Sequence, residues 1–181
     1  MIVKILIGLA VIVVVFIIIV ATRPADFRVT RSATISAPAA VVFAQVNDLH
    51  KWVAWNPWGK LDPACKMTYE GPPAGTGAGY TWAGNNKVGE GHMLITESRP
   101  NELIRFNLEF LKPFKANNTA EFTFQSDGNQ TTVSWSMAGK KNFVFKAVGL
   151  FMDSDKMVGG DFERGLADLK SVAEAASASR T

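Results

Sequence analysis

The fold of this 181-residue chain is decided by DSDKMVGGDFERGLADLKSVAEAA, residues 153–176. Charged side chains fall mostly on one face of this segment, and apolar ones recur on the other at helical spacing: Met157, Phe162, Leu166, Leu169, Ala173 and Ala176. The pattern predicts a long amphipathic helix whose apolar side is buried. Because Gly159 and Gly160 are unfavourable inside a helix, a kink at this pair or a restart at Asp161 is also predicted.

The residues before this helix alternate between apolar and polar side chains, which is typical of half-buried antiparallel strands. A first strand is predicted from Phe27 to Ile35, with Arg31 as the one residue that breaks the alternation. Later strands share a dry, aromatic face that carries Phe106, Phe110, Phe122, Phe124, Trp135 and Met137. Together, the two periodicities predict a curved sheet wrapped around one helix.

Short helical segments are predicted on either side of the main run of strands. Ser36 or Ala37 is expected at the N-cap, and Pro38 in the first turn, of a helix that runs to about Val46. A further helical turn is expected near residues 48–53, and residues 52–58, WVAWNPW, hold three of the five tryptophans. Another short apolar helix is expected at residues 143–152, just before the long one.

The N-terminus is an almost unbroken apolar run from Ile2 to Ala21, interrupted only by Lys4. As a helix it would be about 30 Å long, the thickness of a hydrocarbon core. We interpret residues 1–23 as a single-pass membrane anchor and residues 24–181 as one folded domain. A cleaved signal peptide is the alternative, which the long apolar run and the lack of a small-x-small motif after Val20 disfavour. Basic residues on both sides of the run leave the membrane side of the domain open.

Composition and motifs exclude several classes of function. The formal net charge is +3, but Lys and Arg are scattered without an aromatic-plus-basic motif, so no nucleic-acid partner is expected. The single cysteine, Cys65, excludes an internal disulfide and a cysteine-cluster metal site. The chain has no HExxH, GxSxG, Walker or CxxC pattern. We therefore expect neither a metal nor a cofactor, and the sequence leaves the oligomeric state open.

Four segments carry a resemblance to a known superfamily: RSATISAP at 31–38, DLxxWxxWxPW at 48–58, GEG at 89–91 and DFERGLADLK at 161–170. With this order of elements, the chain resembles the START and polyketide-cyclase superfamily, called SRPBCC, from about Phe27 to Ala173. The resemblance implies an α+β helix-grip fold. In that fold a curved antiparallel sheet of about seven strands wraps around the long C-terminal helix, with two short helices after the first strand. It further implies a hydrophobic molecule bound between sheet and helix, and some members catalyse cyclisation or dehydration there.

The candidate ligand-binding residues are large side chains expected to face the long helix. They are Trp55, Trp58, Tyr69, Tyr80, Trp82, Phe106, Phe110, Phe122, Phe124, Trp135, Met137, Met157 and Phe162. Each of them also suits a packed core, so the prediction depends on the group rather than on any one ring. Tyrosine hydroxyls and indole N–H groups are expected to orient a polar end of the ligand.

Catalytic candidates are few. His92 and Glu90 have the same parity in a strand predicted at residues 88–98, so they would form an acid/base pair on one face of the sheet. If that face is the outer one, the pair is merely solvated. His50 is expected at an exposed helix end, and Cys65 has no histidine nearby in the sequence that would activate it.

Three functions are compatible with these patterns. The first is a membrane-anchored domain that binds a hydrophobic small molecule or lipid. The second is a cyclase or dehydratase-like enzyme that uses His92, Glu90 or a tyrosine facing the ligand. The third is a membrane-tethered protein-interaction module, which would show a large exposed apolar patch instead of an internal cavity. We prefer the first because an anchor and an aromatic face occur in one chain.

Overall fold

The structure, a computed structural model, describes residues 1–151 and 154–179, apart from the side chains of Ser154 and Met157. Its α-helices are α1 (Ile2–Thr22), α2 (Ala39–Asn47), α3 (Phe143–Val148) and α4 (Ser154–Ala178). Short 3-10 helices follow α2 at Leu49–Ala54 and Gly59–Leu61. Helix α1 stands apart from the core, since Val20 is its one buried side chain.

Seven antiparallel strands form one open sheet in the order β1-β7-β6-β5-β4-β3-β2. They are β1 (Asp26–Ile35), β2 (Lys66–Glu70), β3 (Gly79–Ala83), β4 (Glu90–Arg99), β5 (Leu103–Lys112), β6 (Ala116–Asp127) and β7 (Gln130–Lys140). Because β1 and β2 lie at opposite edges, α2 and the 3-10 helices carry the chain across the sheet. Two register shifts between β4 and β5 are bulges, which bend a sheet. The predicted helix-grip arrangement is confirmed.

The start of α2 differs from the prediction. The helix begins at Ala39, so Pro38 rather than Ser36 or Ala37 occupies the N-cap position. Pro38 has no N–H that needs a hydrogen-bond acceptor, and its ring fixes φ, so it suits the N-terminal start of a helix. The N–H of Ser36 donates instead to Glu174 Oε1 at 2.7 Å, and this bond lowers the pKa of the carboxyl. The segment before α2 is therefore held by the C-terminal helix.

Helix α4 is continuous through its glycine pair. The predicted restart at Asp161 is not observed, because helical residues run from Ser154 to Ala178 without a break. Helix α3 ends at Val148, earlier than expected. Met152 and Asp153, which the sequence placed at the end of the α3 segment and the start of α4, lie outside the described residues.

Arg31, the residue that breaks the alternation of β1, explains the glycine in α4. Its guanidinium crosses the helix at Gly159, where a Cβ would overlap it. Arg31 Nε donates to Glu163 Oε1 at 2.7 Å and Nη2 donates to Asp155 Oδ2 at 2.9 Å, so carboxylates one turn to either side hold the guanidinium. These bonds lower the pKa of Asp155. A charged contact thus sets how β1 and α4 lie against each other.

Stacked rings fill the middle of the grip. We call Trp52, Trp55, Phe122, Trp135 and Phe162 the core cluster; all five are buried. Trp135 of β7 lies parallel to Phe162 of α4 with ring centroids 4.1 Å apart, and it stacks on Phe122 at 4.8 Å. Trp52 and Trp55 meet these rings edge-on from the first 3-10 helix. Sheet, helix and connecting segment therefore share one packed centre.

Candidate functional site

The structure divides the candidate ligand-binding residues into a buried and a half-buried group. The buried ones are Trp55, Tyr80, Phe106, Phe122, Phe124, Trp135, Met137 and Phe162. The half-buried ones are Trp58, Tyr69, Trp82 and Phe110. Met157 belongs to α4, but its side chain lies outside the described part of the chain. The half-buried side chains keep part of their surface exposed, whereas the buried ones are covered by the protein itself.

Indole N–H groups near the core cluster already have protein acceptors. Trp55 Nε1 donates to the carbonyl of Gln45 at 3.2 Å, and Trp58 Nε1 donates to Asp161 Oδ2 at 3.2 Å. These bonds tie the segment after α2 to α2 itself and to α4. The expectation that indole nitrogens orient a ligand therefore does not suit these two tryptophans.

A second set of rings lies side by side along the inner, helix-facing side of the sheet. We call His50, Tyr69, Tyr80, Trp82 and Phe110 the aromatic row. His50 stacks on Tyr69 with centroids 4.0 Å apart, and the successive neighbours that follow are 5.8, 5.9 and 5.7 Å apart. His50 was expected to be exposed, and the structure leaves about half of it exposed, with one ring face on Tyr69. The row leads from an imidazole to a purely apolar ring near the end of β5.

Gly91 of β4 makes room for the indole of Trp82. The two residues are paired across β3 and β4, and a Cβ at Gly91 would overlap the outer edge of the indole. Trp82 crosses β4 at this point and reaches Phe110 on β5. Its Nε1 donates to the carbonyl of Val88 at 3.3 Å, which holds the ring in place. The GEG segment thus has a structural role in continuing the aromatic row across the sheet.

Tyr80 places a polar group at the buried middle of the aromatic row. Its side chain is 6% exposed, and its hydroxyl has no hydrogen-bond partner among the residues that the structure describes. Burial, with smaller contributions from Tyr69 and Cys65, raises the pKa of Tyr80, so the phenol keeps its proton at neutral pH. The hydroxyl oxygen is not fully enclosed, so it keeps access to solvent or to a polar atom of a bound molecule.

Asn118 is an inner-face polar residue that the sequence reasoning missed. It lies on β6 with the same parity as Ala120 and Phe122, which point inward. The alternation along this strand could therefore have identified Asn118 as an inward-facing residue. Its Nδ2 lies 3.9 Å from Met137 Sδ, and Oδ1 is buried without a partner in the described part of the chain. Asn118 Oδ1 and the Tyr80 hydroxyl are separated by β4 and β5 on the same face.

The two catalytic candidates lie on the outer face of β4. They share a face, as predicted, but the buried residues of this strand, such as Met93, have the opposite parity. His92 Nε2 lies 2.5 Å from Glu70 Oε1 of β2, while Glu90 Oε1 accepts from Lys112 Nζ at 2.8 Å. Each group therefore has its own partner, and the geometry gives no support to an acid/base pair between them.

A groove of about 520 Å³ lies at one corner of the sheet, and none of its lining residues is a candidate ligand-binding or catalytic residue. It is formed at the start of β1, at the end of β7 and on the adjoining part of β6, by Asp26, Phe27, Arg28, Thr119, Ala138, Gly139 and Lys140.

Burial raises the pKa of the Cys65 thiol, which disfavours a thiolate nucleophile. In the residues that the structure covers, no three His, Cys, Asp or Glu side chains are grouped to hold a metal ion.

Comparisons with known proteins agree with this architecture. Residues 26–174 match the model of the family described as polyketide cyclase / dehydrase and lipid transport. Among solved structures, protein CV1439 from Chromobacterium violaceum is 15% identical, with a TM-score of 0.58, over 84% of this chain and 99% of that one. Mll3558 from Rhizobium loti is 14% identical with a TM-score of 0.63, over 82% and 98% of the two chains. DynU16, from the dynemicin biosynthetic locus, is 14% identical with a TM-score of 0.56, over 83% and 48%.

At these identities the solved structures support the fold alone, and no curated protein matches the sequence. The family match covers nearly all of the chain outside α1 and contains the sheet, the core cluster and most of α4. The SRPBCC resemblance drawn from the four sequence segments is thereby confirmed. The chain belongs to the polyketide cyclase / dehydrase and lipid transport family.

Proposed function

We propose that this protein is a membrane-anchored helix-grip domain that binds a hydrophobic small molecule or lipid between the sheet and α4. In this proposal, residues 1–23 are the anchor and residues 24–181 the binding domain. The observation that carries it is the aromatic row, in which half-buried rings flank the unpaired hydroxyl of the buried Tyr80. Apolar walls with one or two fixed polar groups are typical of small-molecule sites. The family description, which includes lipid transport, supports the same class of ligand.

Helix α1 supports the anchor. It is 21 residues long and apolar enough to cross a membrane, and only 6% of its most apolar window is buried against the rest of the protein. A core helix would be covered by other elements, whereas this one has its side chains free to contact lipid. A signal sequence of the same length is the competing interpretation. Detection of the intact N-terminus in protein isolated from membranes would distinguish the two.

The proposal makes a specific prediction for ligand uptake. The full chain, purified in mild detergent, is titrated with a fluorescent polyene fatty acid, and energy transfer from tryptophan to the probe is measured. We expect saturable uptake by the unaltered protein. Tyr80→Phe should weaken it about 5- to 10-fold, because one hydrogen bond to the probe's carboxyl group, worth about 1 kcal/mol, is lost. Thr81→Val, next to Tyr80 but exposed on the outer face, is the matched control and should bind normally.

Absence of saturable uptake by the unaltered protein would rule out a site for apolar acids in the grip. Native mass spectrometry of the same preparation gives an independent measurement. A copurifying mass that is displaced by the probe supports the proposal, and bare polypeptide that takes up no probe contradicts it.

The same tyrosine supports a cyclase or dehydratase-like enzyme as the second candidate. Because Tyr80 keeps its proton, it would act as a hydrogen-bond donor to a substrate carbonyl rather than as a base. His92 and Glu90 face away from this position. If Tyr80→Phe changes the affinity and no product forms, the protein is a binding protein. If product forms and Tyr80→Phe abolishes its formation, the protein is an enzyme.

A further inference from the structure

An exposed apolar surface surrounds α3 at one end of the domain. We call it the interfacial patch and define it as Phe114, Phe143, Val144, Phe145, Val148 and Phe151. Each of these side chains is at least 40% exposed, and Phe151 reaches 81%. Helix α3 buries none of its side chains, which is unusual for so apolar a segment in water. Phe114, in the turn between β5 and β6, meets Phe145 edge-on at 5.6 Å, so two separate segments form one surface.

The interfacial patch lies where α1 joins the domain. Lys146 Nζ of α3 donates to the carbonyl of Ala21, close to the end of α1, at 3.4 Å. Only residues 23–25 separate α1 from β1, and the N–H of Lys141 holds Ala25 by its carbonyl at 2.7 Å. If α1 crosses a bilayer, its end lies at the membrane surface, and this short connection keeps the patch there as well.

The charges around the interfacial patch suit phospholipid headgroups. Arg23, Lys115, Lys140 and Lys146 lie in the segments that end or turn at this end of the domain. Two carboxylates also lie at this end: that of Asp26, which begins β1 opposite Lys140, and that of Glu90, which is paired with Lys112. Exposed aromatic rings surrounded by cations are typical of surfaces that enter the boundary between headgroups and acyl chains.

The strand register places Phe110, the last ring of the aromatic row, at the same end of the sheet. Phe110 pairs with Ala116 beside the turn that carries Phe114, and β1 begins opposite Lys140 at the end of β7. The turn between β6 and β7 lies at the other end of the sheet, roughly 36 Å away along these strands at 3.3 Å per residue. A molecule leaving the bilayer at the patch would therefore meet Phe110 and Trp82 first.

We propose that the interfacial patch lies in the headgroup region of the bilayer that α1 spans, so that this end of the grip faces lipid. This inference rests on the anchor in the proposed function, because a tethered patch meets the bilayer at a high effective concentration, whereas a partner protein must be recruited from solution. Docking buries the apolar side chains of the interfacial patch, which would otherwise be exposed to water next to the membrane that α1 spans. The bilayer is thus both the partner of this surface and the source of the ligand.

The test uses the full chain, with Cys65→Ser, reconstituted into vesicles of phosphatidylcholine and phosphatidylglycerol. A single cysteine, introduced as Val148→Cys in the patch or as Asn129→Cys in the β6–β7 turn, carries an environment-sensitive nitrobenzoxadiazole label. We expect the label at 148 to be blue-shifted and at least twofold quenched by lipids that carry a nitroxide near the headgroup. The label at 129 should emit as in water and should not be quenched. Replacing Phe143, Phe145 and Phe151 by serine should abolish the quenching at a second patch label, Val144→Cys.

Flotation of the vesicles separates failure of this inference from failure of the anchor. A chain that does not float with the vesicles refutes both together. A floating chain whose label at 148 is as water-exposed as that at 129 refutes the docked patch and leaves the anchor intact. A label at 148 that is blue-shifted but not quenched by any lipid nitroxide indicates protein contact, and it also overturns the inference. Ligand uptake in detergent is measured separately, so its absence leaves this test unaffected.

Discussion

The two adjacent glycines of α4 should respond in opposite ways to the same substitution. At Gly160, an added Cβ would lie 3.7 Å from Arg164 Nη1, an ordinary van der Waals distance. Ala restricts the unfolded chain and favours helix, so Gly160→Ala should stabilise the protein by about 0.5–1 kcal/mol. For a domain of this size that raises Tm by roughly 1–4 °C.

At Gly159, an added Cβ would lie 2.8 Å from Arg31 Nε and closer still to Cζ and Nη2 of the same guanidinium. The guanidinium would have to move away by about an ångström, which stretches its bonds to Asp155 and Glu163 beyond hydrogen-bond length. Overpacking of a buried position typically costs about 1–3 kcal/mol. Gly159→Ala should therefore be less stable than Gly160→Ala by a similar amount, although both gain the same helix propensity.

The assay is thermal and urea unfolding of both variants in detergent micelles, repeated in an Arg31→Ala background. Without the guanidinium, the Cβ at Gly159 has space, and the two glycine substitutions should become equally stabilising. This double-mutant cycle isolates the contact with Arg31 from the general effect of alanine. Equal stability of Gly159→Ala and Gly160→Ala in the unaltered background would refute the account of why α4 carries glycine at 159.

Two further predictions concern pH. Burial raises the pKa of Tyr80 above that of an unfolded tyrosine, near 10, so its contribution to stability is present below about pH 10 and is lost as pH rises further. Tyr80→Phe should thus be at least as stable as the unaltered protein at pH 7 and lose less stability between pH 9 and 11 in urea unfolding; a variant clearly destabilised at pH 7 would show that the hydroxyl has a partner. Hydrogen bonds from Arg31 lower the pKa of Asp155, so that contribution is present above about pH 4 and is lost on acidification. The destabilisation caused by Arg31→Ala should accordingly shrink from pH 6 to pH 2.5, and an unchanged difference would contradict the ion pair.

The local patterns of the sequence were sufficient for the architecture. Period-two alternation, one long amphipathic pattern and an apolar N-terminal run correctly predicted the strands, α4 and α1, because burial of one face depends on spacing along the chain. Parity also placed His92 and Glu90 on a common face of β4. It left open which side of the sheet that face was on.

Partners across the sheet were beyond the reach of the sequence. The histidine at 92 pairs with Glu70 because β2 lies beside β3 and β3 beside β4, an order that only the assembled sheet reveals. Asn118 was not among the candidate residues, yet it points inward among apolar side chains. Each of these contacts depends on the spatial neighbour rather than the sequence neighbour.

By itself, then, the sequence determined that a curved sheet would close around one helix behind an apolar N-terminal segment, since hydrophobic periodicity is a local property. Only the tertiary structure decided that Arg31 would cross α4 at Gly159, that the candidate rings would separate into a core cluster and an aromatic row, and that apolar side chains of α3 would gather beside the end of α1. Those outcomes depend on strand register and helix placement, and two of them, Arg31 at Gly159 and Lys146 at Ala21, join groups more than a hundred residues apart.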